Sequence, residues 1–282
     1  MALLFLLPTC IGLIVFRLVP IIWSFALSFY EWKIFDTPEF VGLANYRQIA
    51  SSELALTYFS NTALYSLMYV SGSIVIATLM AIVLNKAFRF SALFRGAFFL
   101  PYITSAVAVT LAWRWIFASR FGLLNNLLLW LGVTSPPAWL ADPFWALPSV
   151  AIVAVWKDAG FYMLLLLAGL QTIDPTLYEA ARVDGAGRWR RFYRITLPLL
   201  SRSLFVVAII ALIQSTQTFE ITYSLTGGGP NHASTTLAFS IYQHAFVDFK
   251  FGYASALAYL LCFVLGLLTL LKFQIRKRWQ DD

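Results

Sequence analysis

Two groups of polar residues interrupt the long apolar runs of this sequence, and they are its best candidates for chemistry. The first group lies in one run of seven residues and consists of Gln214, Ser215, Thr216, Gln217, Thr218 and Glu220. Amides and hydroxyls near aromatic rings suit a ligand rich in hydroxyl groups, because hydrogen bonds orient it while rings pack against its apolar faces. The same groups could instead hydrogen-bond one helix to another.

The second group is the pair Lys157 and Asp158, which follows Trp156 within another apolar run. An ionisable side chain is costly at membrane depth, so such a pair marks either a polar pathway or a structural contact between helices. Adjacent residues on a helix point in different directions, and we therefore expect the two side chains to have separate partners.

Residues for catalysis and for metal binding are missing from the pattern. The sequence has no G-x-x-x-x-G-K-[ST] loop for nucleotide phosphates, so this chain is not itself an ATPase. His232 and His244 share one predicted loop without the carboxylate or cysteine spacing of a metal site. We expect no catalytic residue, no metal and no cofactor in this chain.

The elements that must position these groups are predicted to be membrane-spanning helices. Of the 282 residues, 60% are hydrophobic and only 12% are charged, against about 25% charged in soluble domains. A spanning helix needs about 20 apolar residues. The sequence therefore predicts an all-α, single transmembrane domain over 1–282 with six spans, at about 3–29, 58–84, 97–118, 145–170, 199–223 and 253–273.

The basic residues predict the orientation of these spans. The net charge of +7 does not indicate nucleic acid, because Lys and Arg occur in short clusters between the apolar runs. Thirteen of them fall in 85–95, 171–202 and the C-terminal tail, whereas the opposite loops hold only four, Lys33, Arg47, Arg120 and Lys250. By the positive-inside rule both termini and the 171–198 loop are cytoplasmic.

The 171–198 loop is longer than a simple reversal of the chain needs, and its sequence predicts a short helix. Asp174 can cap a helix that starts at Pro175, a favoured first position for proline. Residues at helical spacing follow, and Gly185 and Gly187 end the helix. Such a helix, tied to two spans, could pass the movement of a soluble partner to the membrane helices. It could also simply lie on the bilayer.

The same loop contains Glu179-Ala180-Ala181, followed by three residues, Gly185, nine residues and then Ile195-x-Leu197-Pro198. This pattern resembles the EAA signature of binding-protein-dependent ABC importer permeases. The string YEAARVDGAGRWRRFYRITLPLL is similar to the carbohydrate branch of that family, which includes maltose and glycerol-3-phosphate permeases. VGLANY at 41–46, LPY at 100–102, LTGGGP at 225–230 and FGYASALA at 251–258 extend the resemblance over nearly the whole chain.

The resemblance implies a maltose-permease-like fold of six transmembrane helices with a cytoplasmic coupling helix. It implies ATPase-coupling roles for Glu179, Ala180, Ala181, Asp184, Gly185, Ile195, Leu197 and Pro198. It also implies solute contacts at the level of the polar run in span five, and we assign the solute pathway to Asp158, Tyr162, Gln214, Ser215 and Thr218.

By the same resemblance, the expected partners are a second permease subunit, two ATPase subunits that bind ATP and Mg²⁺, an extracytoplasmic solute-binding protein and membrane lipid. The expected location is the bacterial plasma (inner) membrane, and the solute is a sugar, a polyol or a glycerol-phosphate. The alternative from the sequence alone is a secondary transporter driven by an ion gradient. That class favours internal repeats and matched broken helices, and neither is clear in the sequence.

Overall fold

A computed structural model describes residues 2–32, 37–85 and 90–278, with side chains described from residue 6 to residue 267 of those ranges. Lys33, Lys86 and Arg89, and the side chains of the basic C-terminal tail, lie outside the described residues, so the charge-based orientation stays a prediction.

The described chain is mostly helical. Its first elements are α1 (Ala2–Leu13), a π-helical segment (Ile14–Leu18), α2 (Val19–Leu27), the short antiparallel strands β1 (Tyr30–Glu31) and β2 (Glu39–Phe40), α3 (Ala44–Ser51), α4 (Glu53–Leu84), α5 (Ser91–Ile103), α6 (Ala106–Ile116) and α7 (Leu123–Trp130). The later elements are α8 (Pro143–Gln171), α9 (Pro175–Val183), α10 (Arg188–Arg191), a π-helical segment (Phe192–Thr196), α11 (Leu197–Thr216), α12 (Glu220–Leu225), α13 (Leu237–Tyr242), a π-helical segment (Gln243–Val247) and α14 (Phe251–Arg278).

Contacts divide the chain into two compact units, here named the terminal unit (within 1–60 and 236–282) and the central unit (61–235). In the terminal unit α14 packs against α2, α3 and α13. Its small core is formed by Ile49, Ala55, Tyr58, Leu237, Ala256 and Leu257. Asn45 closes the β1 turn, because its amide donates to the carbonyl oxygens of Ser28 (2.9 Å) and Tyr30 (3.0 Å).

The central unit is organised around α8, which Asp142 caps by accepting a hydrogen bond from the backbone N–H of Phe144. Helices α5, α11 and α12 pack against α8, and α6 packs against α12. Gly160 lets α8 approach the backbone of α5 at Phe98, and Gly169 lets it approach Ser203 of α11. Small residues at such crossings are typical of helix packing in membranes.

Four helical stretches are long and apolar enough to cross a membrane: Leu6–Leu27, Glu53–Leu84, Pro143–Gln171 and Arg188–Thr216. They match the predicted spans one, two, four and five. Within the described residues α14 adds a shorter apolar stretch, Phe251–Leu267, at the predicted sixth span. The count of six spans therefore stays a prediction.

The structure differs from the prediction at the third span. Instead of one helix over 97–118, it has α5 and α6, which meet at a bend of 97° and together count as one broken span or one re-entrant loop. Thr104 and Ser105 have extended backbone between them, and the Thr104 hydroxyl donates to the Leu100 carbonyl (2.9 Å). Pro101 lies in the last turn of α5, and its missing N–H leaves the Ala97 carbonyl without its helical partner, which weakens the helix just before the break.

The fifth span also has other limits than the predicted 199–223. Its helix begins at Arg188, so Pro198 lies inside it rather than before it. The π-helical segment Phe192–Thr196 accommodates that proline, with the Leu197 N–H bonded to the Phe192 carbonyl five residues back. The helix stops at Thr216, and a non-helical stretch separates it from α12.

Candidate functional site

The central unit contains an open cavity of about 530 Å³ that is lined mostly by polar residues. Parts of α5, α6, α8, α11 and α12 form its walls, and the break between α11 and α12 contributes three of its ten lining residues. The lining residues are Tyr102, Ala106, Lys157, Asp158, Gln214, Gln217, Thr218, Phe219, Glu220 and Ile221. Three of the five predicted pathway residues, Asp158, Gln214 and Thr218, are thus brought together.

A hydrogen-bonded cluster of tyrosines holds two of these groups in place. The Tyr69 hydroxyl donates to Asp158 Oδ2 (2.5 Å) and lies 3.0 Å from the Tyr162 hydroxyl, which donates to Gln214 Oε1 (3.1 Å). Tyr162 is fully buried, so it supports the cavity wall rather than lining the cavity. With its oxygen engaged, the Gln214 amide keeps its N–H₂ group as a donor for a ligand.

Thr218 and Ser215 have different surroundings although both belong to the polar run. Thr218 lines the cavity, and its hydroxyl lies 3.0 Å from the Tyr65 hydroxyl of α4. Ser215 is buried, and its hydroxyl contacts Ser66 of α4 at 2.9 Å and donates to the Leu212 carbonyl at 2.7 Å. The structure therefore places Ser215 in the packing between α11 and α4 and not at the cavity.

The site also contains groups that the sequence did not single out as pathway residues: Tyr65 and Tyr69, which are buried beneath the cavity wall, and Gln217 and Glu220, which line the cavity. Tyr65 and Tyr69 are one helical turn apart on α4, and two tyrosines at that spacing in an apolar helix are the signal that could have identified them. Gln217 and Glu220 belonged to the polar run, but their orientation depends on the break after Thr216.

Lys157 joins two walls of the cavity. Its ammonium donates to the Tyr102 carbonyl at the end of α5 (3.0 Å) and lies 5.3 Å from the centre of the Tyr102 ring. A cation suits this position, because the last carbonyls of a helix lack partners and carry partial negative charge. Lys157 and Asp158 have these separate partners as predicted, and they also form a 3.7 Å ion pair that the sequence did not predict.

The predicted short helix of the 171–198 loop is present as α9. The Asp174 carboxylate accepts a hydrogen bond from the Thr176 N–H (2.9 Å), and this bond lowers the pKa of Asp174 below its ordinary value. The helix ends before Gly185, whose φ of +72° favours glycine, and Gly187 precedes α10.

The EAA residues lie on the open side of α9. Glu179, Ala180 and Asp184 are exposed and Ala181 is half-buried. On its other side the Tyr178 hydroxyl lies 3.0 Å from the Thr196 hydroxyl at the base of α11. Of the remaining predicted coupling residues, Ile195 is in the π-helical segment, and Leu197 and Pro198 begin α11. These three residues therefore belong to the connection between α9 and α11 and not to the exposed face of α9.

The chain is similar to known membrane components of transport systems. Residues 73–278 match the profile of the family described as "Binding-protein-dependent transport system inner membrane component". The sulfoquinovosyl glycerol transport system permease protein SmoG of Agrobacterium fabrum is 36% identical, over 92% of this chain and 84% of that protein. The trehalose/maltose transport system permease protein MalF of Thermococcus litoralis is also 36% identical, over 94% of this chain and 89% of that protein.

Among solved structures, the fold is similar to a chain of a bacterial alginate ABC transporter crystallised in complex with an alginate pentasaccharide-bound periplasmic protein. The TM-score is 0.85 at 25% sequence identity, and the match covers 97% of this chain and 93% of the other.

Proposed function

Because the chain belongs to the family of binding-protein-dependent transport system inner membrane components, we propose that it forms half of the solute pathway of an ATP-driven importer for a sugar, a related polyol or a glycerol-phosphate. The chain is a non-catalytic membrane subunit of an ABC transporter. Its relatives include permeases named for sugar-containing solutes, which supports this range of solutes.

One observation carries the proposal: the exposed helix α9 is joined directly to the two helices that carry the polar groups of the cavity. Asp158 is on α8, which ends three residues before α9. Gln214 is on α11, whose base lies 3.0 Å from α9 through the hydroxyl pair of Tyr178 and Thr196. A displacement of α9 is therefore transmitted to both cavity walls.

In the proposed complex, two ATPase subunits that bind ATP and Mg²⁺ dock on the α9 faces of this chain and of a second permease subunit. Glu179 pairs with a basic residue of the ATPase, and Ala180 and Ala181 leave room for close contact in a groove. Closure of the ATPases moves α9, and the movement alternates access to the cavity between the two sides of the membrane. A solute-binding protein delivers solute from outside, which the periplasmic partner of the similar alginate transporter supports.

The proposed location is the bacterial plasma (inner) membrane, with both termini and α9 in the cytoplasm. The charge asymmetry of the loops supports this orientation, since thirteen basic residues flank the spans on one side and four on the other. Nothing in the fold or in the similar proteins favours a secondary transporter driven by an ion gradient.

The test is transport by the reconstituted complex with two α9 variants, Glu179→Gln and Ala180→Trp. We expect both to reduce ATP-dependent uptake about tenfold or more, because the first removes a charged contact and the second fills the groove contact with a bulky ring. The matched control is Glu53→Gln, which removes a carboxylate at the start of α4. Uptake at the wild-type rate in both α9 variants would refute the coupling role.

A further inference from the structure

The charges around the cavity set a limit on its ligand. Among its lining residues the ionisable side chains of Lys, Arg, Asp and Glu type are Lys157, Asp158 and Glu220. Their formal charges sum to −1, and they would sum to zero if Asp158 were protonated. In neither state does this wall present net positive charge to a solute.

The one ammonium in that lining is already committed to protein groups. Lys157 donates to the Tyr102 carbonyl and lies 3.7 Å from Asp158 Oδ1, and its side chain is only 14% exposed. An anionic solute at this ammonium would have to displace Asp158 while remaining near two carboxylates. Sites that recognise phosphate, sulfonate or carboxylate groups instead provide uncommitted cations or several converging N–H donors.

The remaining lining favours an uncharged ligand with hydroxyl groups. Gln214, Gln217 and Thr218 provide amide and hydroxyl groups, which can both donate to and accept from hydroxyls. Tyr102 and Phe219 provide rings. Phe161 stacks on the Tyr102 ring with their centres 4.6 Å apart, and this contact fixes the orientation of that ring.

We infer that the wall formed by this chain selects an uncharged polyhydroxylated solute, such as a neutral saccharide, and that Glu220 is the residue that disfavours anionic ones. This inference rests on the proposed function and narrows its solute range. The similar proteins do not decide the question, because trehalose and maltose are neutral whereas alginate and sulfoquinovosyl glycerol carry carboxylate or sulfonate groups.

The exposed position of Glu220 at the start of α12 suits this role. Gln214 and Glu220 line the same cavity from either side of the α11–α12 break, so a ligand held by the Gln214 amide shares the cavity with the Glu220 carboxylate. An anionic group on such a ligand is repelled by the Glu220 carboxylate, whereas a hydroxyl group can donate to it.

The experiment measures binding to the complete purified transporter by saturation-transfer NMR, with matched neutral and anionic probes. The pairs are trehalose with trehalose 6-phosphate and glycerol with glycerol 3-phosphate. We expect the neutral member of the disaccharide pair to bind at least about tenfold more tightly. We expect Glu220→Gln to reduce that preference by about tenfold, since one charge at close range is removed.

The control variant Glu53→Gln also removes one carboxylate, but from outside the cavity lining, and it should leave the preference unchanged. Equal binding of trehalose and trehalose 6-phosphate, absence of trehalose binding, or an unchanged preference in Glu220→Gln would each overturn the inference. ATP-dependent uptake measured on the same preparation separates this result from the proposed function: a transporter that imports the anionic probes retains the function and contradicts the inference.

Discussion

The close crossing of α8 and α5 allows one substitution to be predicted in detail. A Cβ atom added at Gly160 would lie 1.8 Å from the carbonyl oxygen of Phe98 and 3.0 Å from the Cα of Phe99. Non-bonded heavy atoms normally stay about 3.5 Å apart, so α5 must move away from α8 by about 1.7 Å. Gly160→Ala thus separates two backbones, since neither contact atom belongs to a side chain that could rotate.

Two other glycines of the central unit provide comparisons for the destabilisation expected at Gly160. At Gly169 the added Cβ would meet the Ser203 hydroxyl oxygen at 2.2 Å, and a change of the Ser203 rotamer relieves part of the clash. At Gly96 nothing lies within 4 Å. We expect Gly160→Ala to destabilise by about 3 kcal/mol and Gly169→Ala by about 1 kcal/mol, at the two ends of the range for overpacking. We expect Gly96→Ala to stabilise by up to about 1 kcal/mol through helix propensity.

The assay is thermal unfolding of the purified transporter in detergent, followed by tryptophan fluorescence, with sugar uptake on the same samples. Gly160→Ala should have the lowest midpoint and should also lose uptake, because moving α5 breaks the bond from Lys157 to the Tyr102 carbonyl in the cavity wall. A Gly160→Ala midpoint equal to that of Gly96→Ala would refute the described helix crossing.

Three further predictions concern the polar run, α9 and its cap. Gln214→Ala should weaken saccharide binding about tenfold, because it removes a ligand-facing amide. Ser215→Ala should leave binding unchanged and lower only the unfolding midpoint. Saturation-transfer NMR measures the binding of both variants, and thermal unfolding measures their midpoints. Gly185→Val should reduce uptake per ATP hydrolysed more than Gly185→Asn, because asparagine tolerates the φ of +72° at this position better than valine does. Uptake and ATPase rates measured on the same samples test this. In the folded protein the Thr176 N–H lowers the pKa of the Asp174 carboxyl from 3.8. The Asp174 cap should therefore stabilise α9 fully above about pH 4, and this stabilisation should be lost as the pH falls through the lowered pKa. Amide exchange at Thr176, compared with that in Asp174→Ala, measures the loss.

Much of the helical layout could be predicted because its signals are local. The run of apolar residues in α4 and α8 and the cap and stop residues of α9 each act within one element, so Asp174 and Gly185 identify the limits of α9 directly. The α5–α6 bend could not be predicted in this way. Pro101, Thr104 and Ser105 are individually tolerated in a membrane helix, and Lys157, which donates to the Tyr102 carbonyl at the end of α5, is 55 residues away from Tyr102 in the sequence.

Only part of the candidate site could be predicted from the sequence, again because contacts between helices are not local. Helical spacing indicates which residues share a face, but it does not say which neighbour that face meets. Gln214 and Ser215 are adjacent in the polar run, yet one lines the cavity and the other faces Ser66. The spacing of Tyr65 and Tyr69 on α4 indicates a polar face, but the partner of Tyr69, Asp158 on α8, follows only from the packing of the helices.

The central claim is that an ATPase acting on α9 changes access to the cavity, and the labelling of a cysteine at position 217 tests it most directly. Gln217 is exposed and lines the cavity, and the background variant would replace Cys10 and Cys262. We expect the rate of labelling of Gln217→Cys by a membrane-impermeant thiol reagent to differ several-fold between the nucleotide-free and the ATP-bound complex, and Ala180→Trp to abolish the difference. A labelling rate that is the same with and without ATP in the otherwise unmodified complex would contradict the account.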